Sequence, residues 1–583
     1  MNKVFFCFFL CCLFGVPALA ASAPTFRGEE VIVTASRIPQ PRWSSPYSTS
    51  VVTTQDVQAM GAENLGEALQ YSLGVDYKNT GWWGATSSLK LRSSTYQQVL
   101  VLVNGRRANS PLMGGAASED ILVGDIQKIE VVRFPASSIY GSDAMGGVIN
   151  VITKPPAKKL GLDMLWGDFN SQKYLLQAGN ELAAFSAEYL KTAGYRVNGD
   201  YAAQNYFATA AFDLLKMDLG YYIGDRGVPG STVYPSSTAR QTDHNSYVNF
   251  NVAGLGLFYE EKLQSYNAHL TTTETDSLYN CWTYGVDWQN SVNLLKNRLL
   301  TYGFEWREDR GDSLAVGNHT IDNQALFLED ETDFGDWKFE WGLRGDRQSV
   351  IGDNLSARAG LVYDWIANTQ LRCSFGQAYR APTLNDLYYT DPWGSHGNPN
   401  LQPERSASLD LGLTRKVDFQ TRVTVNYFLT HTSNLIQWVE TSPWIWEPQN
   451  IASSRAEGVE FEFTRDLSNN SAAFLNYTYQ QAVNLSTGKK LVYSPENKLN
   501  LGVRYESKDG LGSALYARYV GERYDDENNT RLVPSYTTID LKLWQKVGEA
   551  LVTLAADNLA NTQYEDTLNY PMPGRRYSVG VKL

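Results

Sequence analysis

Few side chains in this chain could do covalent chemistry. Five histidines and five cysteines are scattered over 583 residues, and no Ser/His/Asp set or zinc-ligand spacing can be assembled from them. The glycine-rich stretch "GSDAMGG" lacks the Lys-Ser/Thr that must follow a phosphate-cradling loop. The chain therefore reads as a protein that is not an enzyme and that holds no metal of its own. Its chemistry is that of recognition. The stretches "NTGWWGAT" (79–86) and "NSPLMGGAAS" (109–118) are rich in glycine, so backbone there can approach a flat or bulky solute closely. Trp82 and Trp83 offer stacking surface, and Met113 offers an adaptable contact. Tyr388, Tyr389, Trp393, Trp444 and Trp446 add aromatic surface further along, with rim packing as the plainer use of such residues. His396, in "PWGSHGNPN", is either a metal-ligating imidazole or a solvated loop side chain.

The elements that must position these groups are strands. From about residue 160 onward the chain is a series of period-two segments. In "LDLGLTR", Leu409, Leu411 and Leu413 alternate with Asp410, Gly412 and Thr414; in "GVEFEFTRD", Val459, Phe461 and Phe463 alternate with Glu460 and Glu462. Successive side chains of a strand point to opposite faces, so each strand has one apolar and one charged face. Short connections such as "GNE", "YEE", "TDFGD" and "SKDG" alternate with long ones, including "APTLNDLYYTDPWGSHGNPNLQPE" and "ETSPWIWEPQNIAS". Short turns on one rim and long loops on the other are the pattern of a membrane barrel with its apolar face turned to lipid. The tally is 22 antiparallel strands and 11 long-side loops. A large secreted β-protein such as a propeller is the alternative that composition alone leaves open.

Residues 43–156 read differently. "TTQDVQAMGAENLGEALQYSLGV" places Leu65, Ala68, Leu69 and Leu73 at helical spacing behind a capping Thr or Asp, and "VLVLVN", "IQKIEVVR" and "GGVINVITK" read as buried strands. This α+β domain is the right size to plug the lumen of the barrel at 157–583. Ahead of both, residues 1–23 carry Lys3, an apolar stretch Val4–Val16 and the small-x-small site Ala18-Leu19-Ala20, which together make a secretory signal peptide. Only Cys281 and Cys373 remain in the mature chain, and their pairing stays open. The formal net charge of −12 argues against a nucleic-acid partner. Between signal and plug, a leader at 24–42 holds one short β-prone run, Val31 to Ala35, with no hairpin partner apparent before Pro39 and Pro41.

Taken in order, "EVIVTA", "VLVLVNGRRAN", "IQKIEVVRFPASSIYGSDAMGGVINVITK", "YRAPTLNDLY", "GNPNLQPERS", "RAEGVEFEF", "DNLANTQYED" and "PGRRYSVGVKL" resemble the TonB-dependent receptors of Gram-negative outer membranes, most closely the cobalamin receptors among them. The resemblance covers nearly all of the mature chain. It departs from the family at two plug positions, Ser93, where glycine is usual after the arginine, and Phe134, where "RGP" is usual; the terminal Leu583 stands where barrel proteins often carry an aromatic.

The resemblance implies active import of a scarce metal chelate, a corrinoid in preference to haem or a ferric siderophore, with no resident cofactor. The different-class alternative is a passive ligand-binding or adhesion barrel. It implies a monomer in the outer membrane, with membrane lipid around it and TonB as its periplasmic partner. The family's TonB box falls on Glu30, Val31, Ile32, Val33, Thr34 and Ala35, a segment expected to hang free and add a strand to its partner's sheet. Similar receptors pair two plug arginines with two barrel glutamates, here Arg92 and Arg133 with Glu404 and Glu460, as an ion lock between plug and barrel. The glycine-rich plug stretches would face outward, so that Trp82, Trp83, Met113, Tyr388, Tyr389, Trp393 and His396 become candidate ligand contacts.

Overall fold

Alternation dictates the barrel wall. On the strand Ile445–Ser468, Glu460 is sealed from solvent while Val459 on the opposite face is exposed; Leu326 and Leu355 on other strands are 71% and 64% exposed. Such a wall is stable only with lipid against its apolar face and a polar interior. In the computed structural model, which describes residues 30–268, 276–468 and 470–583, 22 antiparallel strands close into one barrel from Lys159–Gly167 to Arg576–Lys582. The seam is formed by pairing of the first and last strands, Asp163 opposite Lys582. Among the described residues no helix is long and apolar enough to cross a membrane. The signal segment at 1–23 lies outside the described residues.

Two expected connections differ. "YEE" lies inside the strand Leu255–Asn267; the turn before that strand is Ala253–Gly254, both at positive φ, the two-residue geometry that matches strand twist. "ETSPWIWEPQNIAS" is not a loop. Its residues continue the strands Thr421–Ser442 and Ile445–Ser468, paired as far as Ser442 opposite Ile445, so the backbone groups of this projecting ribbon satisfy one another. Outward connections are not uniformly long either, because those at 168–170, 314–316 and 349–351 are tight.

Inside the barrel sits a five-stranded sheet in the order Thr49–Thr53, Ile126–Val132, Gly147–Thr153, Val99–Val103, Arg106–Arg107, with a parallel pair between Val99–Val103 and Gly147–Thr153. The helical stretch is two short helices. Thr53 and Asp56 form a capping box on Thr54–Met60, which ends at Gly61 (φ 73), and Asn64 caps Leu65–Leu69. Leu73 therefore falls outside helix, but Leu65, Ala68 and Leu69 do pack on Val101, Ile129, Val131 and Ile149 in the core of the plug. Cys281 is buried, Cys373 is exposed, and the two thiols are free.

Candidate functional site: the plug–barrel interface

Arg92 follows the strand Ser87–Leu91, which pairs with Val75–Asn79 apart from the five-stranded sheet, and Arg133 follows Ile126–Val132 within that sheet, so each arginine stands where a plug strand ends. Arg92 (φ 48) and Ser93 (φ 62) are both left-handed, so Ser93 adopts the conformation that the usual glycine would take. The Arg92 guanidinium forks onto Glu460, with Nε to Oε1 at 3.0 Å and Nη2 to Oε2 at 2.8 Å. Its Nη1 donates to Asp410 at 2.8 Å and to the Arg133 carbonyl at 2.6 Å. Arg133 reaches Glu460 through Nε at 3.3 Å and donates to the Ser50 hydroxyl through Nη1. Phe428 lies under the Arg92 guanidinium at 4.5 Å. The Glu460 side chain is fully sealed and that of Arg133 is 1% exposed, so these are desolvated charges, Arg92 hydrogen-bonded through all three of its guanidinium nitrogens and Arg133 through two. Phe134, the other departure from the family pattern, is buried and stacks on Tyr47 with centroids 5.1 Å apart.

Glu404 is not the second carboxylate of this cluster. It stands directly opposite Arg380 in register, on the same inward face, and accepts from Arg380 Nε at 2.8 Å. Its contact with the plug is a hydrogen bond from Gln98 at 2.8 Å. The carboxylate that does join Arg92 is Asp410, also bonded by the Ser48 hydroxyl at 2.9 Å. It was visible in sequence only as one more polar residue in "LDLGLTR".

The leader does not hang free. Val31–Ile32 pairs antiparallel with Gln40–Pro41, a hairpin that sequence reading missed because Pro41 can sit at a strand edge where no N–H is needed. Val31 is 46% exposed, but Ile32 and Ala35 are buried against Tyr47, Val132 and Phe134. Glu130 accepts from the amides of Val33 (2.9 Å) and Thr34 (2.8 Å) and from the Thr34 hydroxyl (2.6 Å). Arg358 of the barrel donates to the Ala35 carbonyl at 2.6 Å. Glu30 pairs with Arg42 at 3.0 Å, and Arg42 also reaches Glu462 at 3.0 Å. The unpaired amides of an extended segment need acceptors once covered, and Glu130 supplies them.

On the outward side, a cavity of about 540 Å³ lies between the plug and the wall, lined by Tyr96, Met113, Asp120, Lys262, Tyr279 and Cys281 among others. Met113 lines this cavity; Trp82 and Trp83 do not. They stack on each other at 4.9 Å, Phe169 meets Trp82 edge-on, Arg576 covers Trp82 at 4.5 Å, and Trp83 packs on Leu190, Tyr201 and Tyr222. Their faces are spent fastening a plug loop to the wall. Tyr388 stacks on His319 at 3.7 Å and Tyr389 meets the edge of Trp438 at 5.5 Å. Trp393 is 76% exposed and His396 is exposed, its Nδ1 3.1 Å from the Gly394 carbonyl oxygen. No group of three or more His, Cys, Asp or Glu among the described residues is placed to hold a metal.

The electrostatics of the outward cavity are closed on themselves. Glu260 engages both Arg106 and Lys262. Arg226 holds Asp120 at 2.6 Å and Asp243 at 2.5 Å, with Glu119 at 3.6 Å. Burial and the neighbouring Asp120 push the Glu119 carboxyl up to about 7 against the pull of Arg226.

A closed 22-strand barrel stopped by an N-terminal plug, with charged fastenings between them, defines a plugged outer-membrane-type receptor. The chain belongs to the TonB-dependent receptors. The family described as "TonB dependent receptor-like, beta-barrel" matches residues 133–559, and the "TonB-dependent Receptor Plug Domain" matches residues 41–148. Two relatives are similar end to end. One is the vitamin B12 transporter BtuB of Photobacterium profundum, 25% identical over 96% of both chains; the other is BtuB of Vibrio vulnificus, 27% identical over 95% of this chain and 93% of the relative. Among solved structures, the siderophore receptor PirA of Acinetobacter baumannii superposes with a TM-score of 0.77 at 17% identity, covering 92% of this chain and 98% of its own. The unliganded ferric citrate transporter FecA superposes at 0.76 with 16% identity, over 93% and 97%. These two likenesses concern the fold.

Proposed function

We propose that this protein imports a bulky metal chelate, a corrinoid in preference to a ferric siderophore or haem, across the outer membrane of a Gram-negative bacterium, driven by TonB pulling on the leader at Glu30–Ala35. The observation that carries the reading is a continuous mechanical link. Arg42 donates to the Thr49 carbonyl at 3.1 Å, and on the same strand Ser50 bonds Arg133, whose own amide donates to Ser48 at 2.9 Å. Tension on the leader is thus delivered to the strand that shoulders the Arg92–Arg133–Glu460–Asp410 cluster. That cluster divides a cavity of about 120 Å³ lined by Arg92, Arg133 and Ser454 from one of about 290 Å³ lined by Glu30, Arg42 and Glu462. Withdrawing the strand would break the fastening and join the two spaces into a path.

Two features support a corrinoid. The end-to-end relatives are vitamin B12 transporters. The outward cavity is lined by Lys78, Arg106 and Lys262 against Glu119, Asp120, Asp125 and Asp243, so it offers no excess of positive charge, which suits an amide-bearing ligand better than a strongly anionic catecholate. Haem draws little support, since His396 stands alone on an exposed loop with Nδ1 against the Gly394 carbonyl and residues 43–156 of the plug carry no histidine. The test combines titration of the purified protein with cobalamin, cobinamide, haem and ferric chelates, and uptake by cells lacking residues 30–35. Tight corrinoid binding with uptake abolished by the deletion is expected. Uptake that survives the deletion removes the transport reading in favour of a passive barrel, and preference for a ferric chelate replaces the ligand.

A further inference from the structure

Three neighbouring strands, Glu404–Lys416, Thr421–Ser442 and Ile445–Ser468, present an apolar stripe to lipid that ends outward at Leu409, Leu429 and Val459. Beyond it, on the same face, stand Arg405, His431 and Arg455, all exposed. Register brings them together: His431 is directly opposite Ala407 on one side and Arg455 on the other, and Arg405 follows on the lipid-facing position next to Ala407. Their charge is not spent internally. The one hydrogen bond of the Arg405 guanidinium goes to the neutral Asn354 at 3.0 Å. Arg455 faces Glu457 of its own strand at 3.3 Å, both partly exposed, and no hydrogen bond or ion pair engages the His431 ring among the described residues. Elsewhere at the outer end of the wall, Arg347 is matched by Asp353 at 2.7 Å.

A lipid-facing charge costs about 2–4 kcal/mol at the bilayer midplane and about 0–1 near the interface, so this cluster is tolerated only at headgroup level. In a chain of formal net charge −12, two arginines and an imidazole facing one carboxylate there are a local reversal of sign. Arginine forks onto phosphate oxygens with two parallel hydrogen bonds. We propose that Arg405, His431 and Arg455 form a docking site for the phosphate of a lipid headgroup in the outer leaflet, its acyl chains lying along Leu409, Leu429 and Val459. Glu457 competes for Arg455 and limits the affinity. The inference rests on the outer-membrane reading above but not on the identity of the imported ligand.

The full chain is reconstituted into nanodiscs of zwitterionic phospholipid, and its thermal midpoint and retained lipid are followed with bisphosphorylated lipid A, with dephosphorylated lipid A and with inorganic phosphate. Lipid A alone is expected to raise the midpoint and remain bound, and the effect should weaken with added salt. The combined substitution Arg405→Gln, His431→Gln, Arg455→Gln should weaken binding by about tenfold or more, and Glu457→Gln should tighten it, as loss and gain of charge-assisted bonds require. Equal responses to dephosphorylated lipid A or to inorganic phosphate, or full retention of lipid A by the triple variant, would overturn the site. Failure of the protein to enter neutral nanodiscs at all would count instead against the membrane reading.

Discussion

Glu460 accepts hydrogen bonds from both plug arginines while fully sealed from water. Removing one partner of such a pair leaves the other's charge buried and unpaired, which costs about 3–5 kcal/mol. Glu460→Ala strands two guanidiniums, whereas Asp410→Ala leaves Arg92 still forked onto Glu460. Planar-bilayer conductance should therefore rise strongly for Glu460→Ala and less for Asp410→Ala; equal and wild-type conductance in both would remove the fastening role. Three members of this cluster could be read from sequence because they sit in distinctive stretches. Asp410 could not: it is the one carboxylate on the inward face of "LDLGLTR", but nothing along the chain says which plug residue meets that strand, and only the seating of the plug in the barrel brings Asp410 beside Arg92.

The leader is the element whose conformation matters most. Its β-prone composition suits strand addition to a partner, and that same composition lets it fold back as a hairpin and bury Ile32 when no partner is present. The competition is set by Glu130, the single carboxylate that receives the Val33 and Thr34 amides and the Thr34 hydroxyl. Glu130→Gln replaces a charge-assisted acceptor with a neutral one at nearly the same shape. Amide exchange at Val33 and Thr34 should speed up several-fold, and proteases should cut the leader sooner, by an amount on the order of 1–2 kcal/mol of lost holding energy. Unchanged exchange at those two amides would show that the leader is held by its apolar contacts alone.

At the scale of the molecule, the plug is a polar-faced domain buried inside the barrel wall of its own chain, and its carboxyls register that burial. Glu67 and Glu119 are both pushed up to about 7, in each case by burial first. A carboxyl whose folded value lies above its unfolded value of 4.5 keeps its proton in the native state while the unfolded chain has released it. These two groups therefore stabilise the plugged form most below 4.5, and that contribution is lost as pH rises through the window from 4.5 to about 7, with no further change above it. Calorimetry across that window should show a midpoint falling with pH, and the double variant Glu67→Gln, Glu119→Gln should flatten the fall while leaving the slope outside the window unchanged. An identical pH profile in the variant would mean that other groups carry the dependence.

Local order in the chain was enough to determine the alternation of Val459, Phe461 and Phe463 with Glu460 and Glu462, the 22-strand tally, the α+β plug and the motifs of the family, because side-chain period and turn chemistry are properties of neighbours along the chain. Partners distant in sequence were decided only in three dimensions. Arg380 stands across from Glu404 and captures it, Trp82 and Trp83 are consumed by Phe169, Arg576 and Tyr201, and Glu130 claims the leader. A charge or an aromatic ring bonds whichever complementary group lies nearest once desolvated, and nearness across a barrel is set by register and closure, which no short stretch of residues encodes.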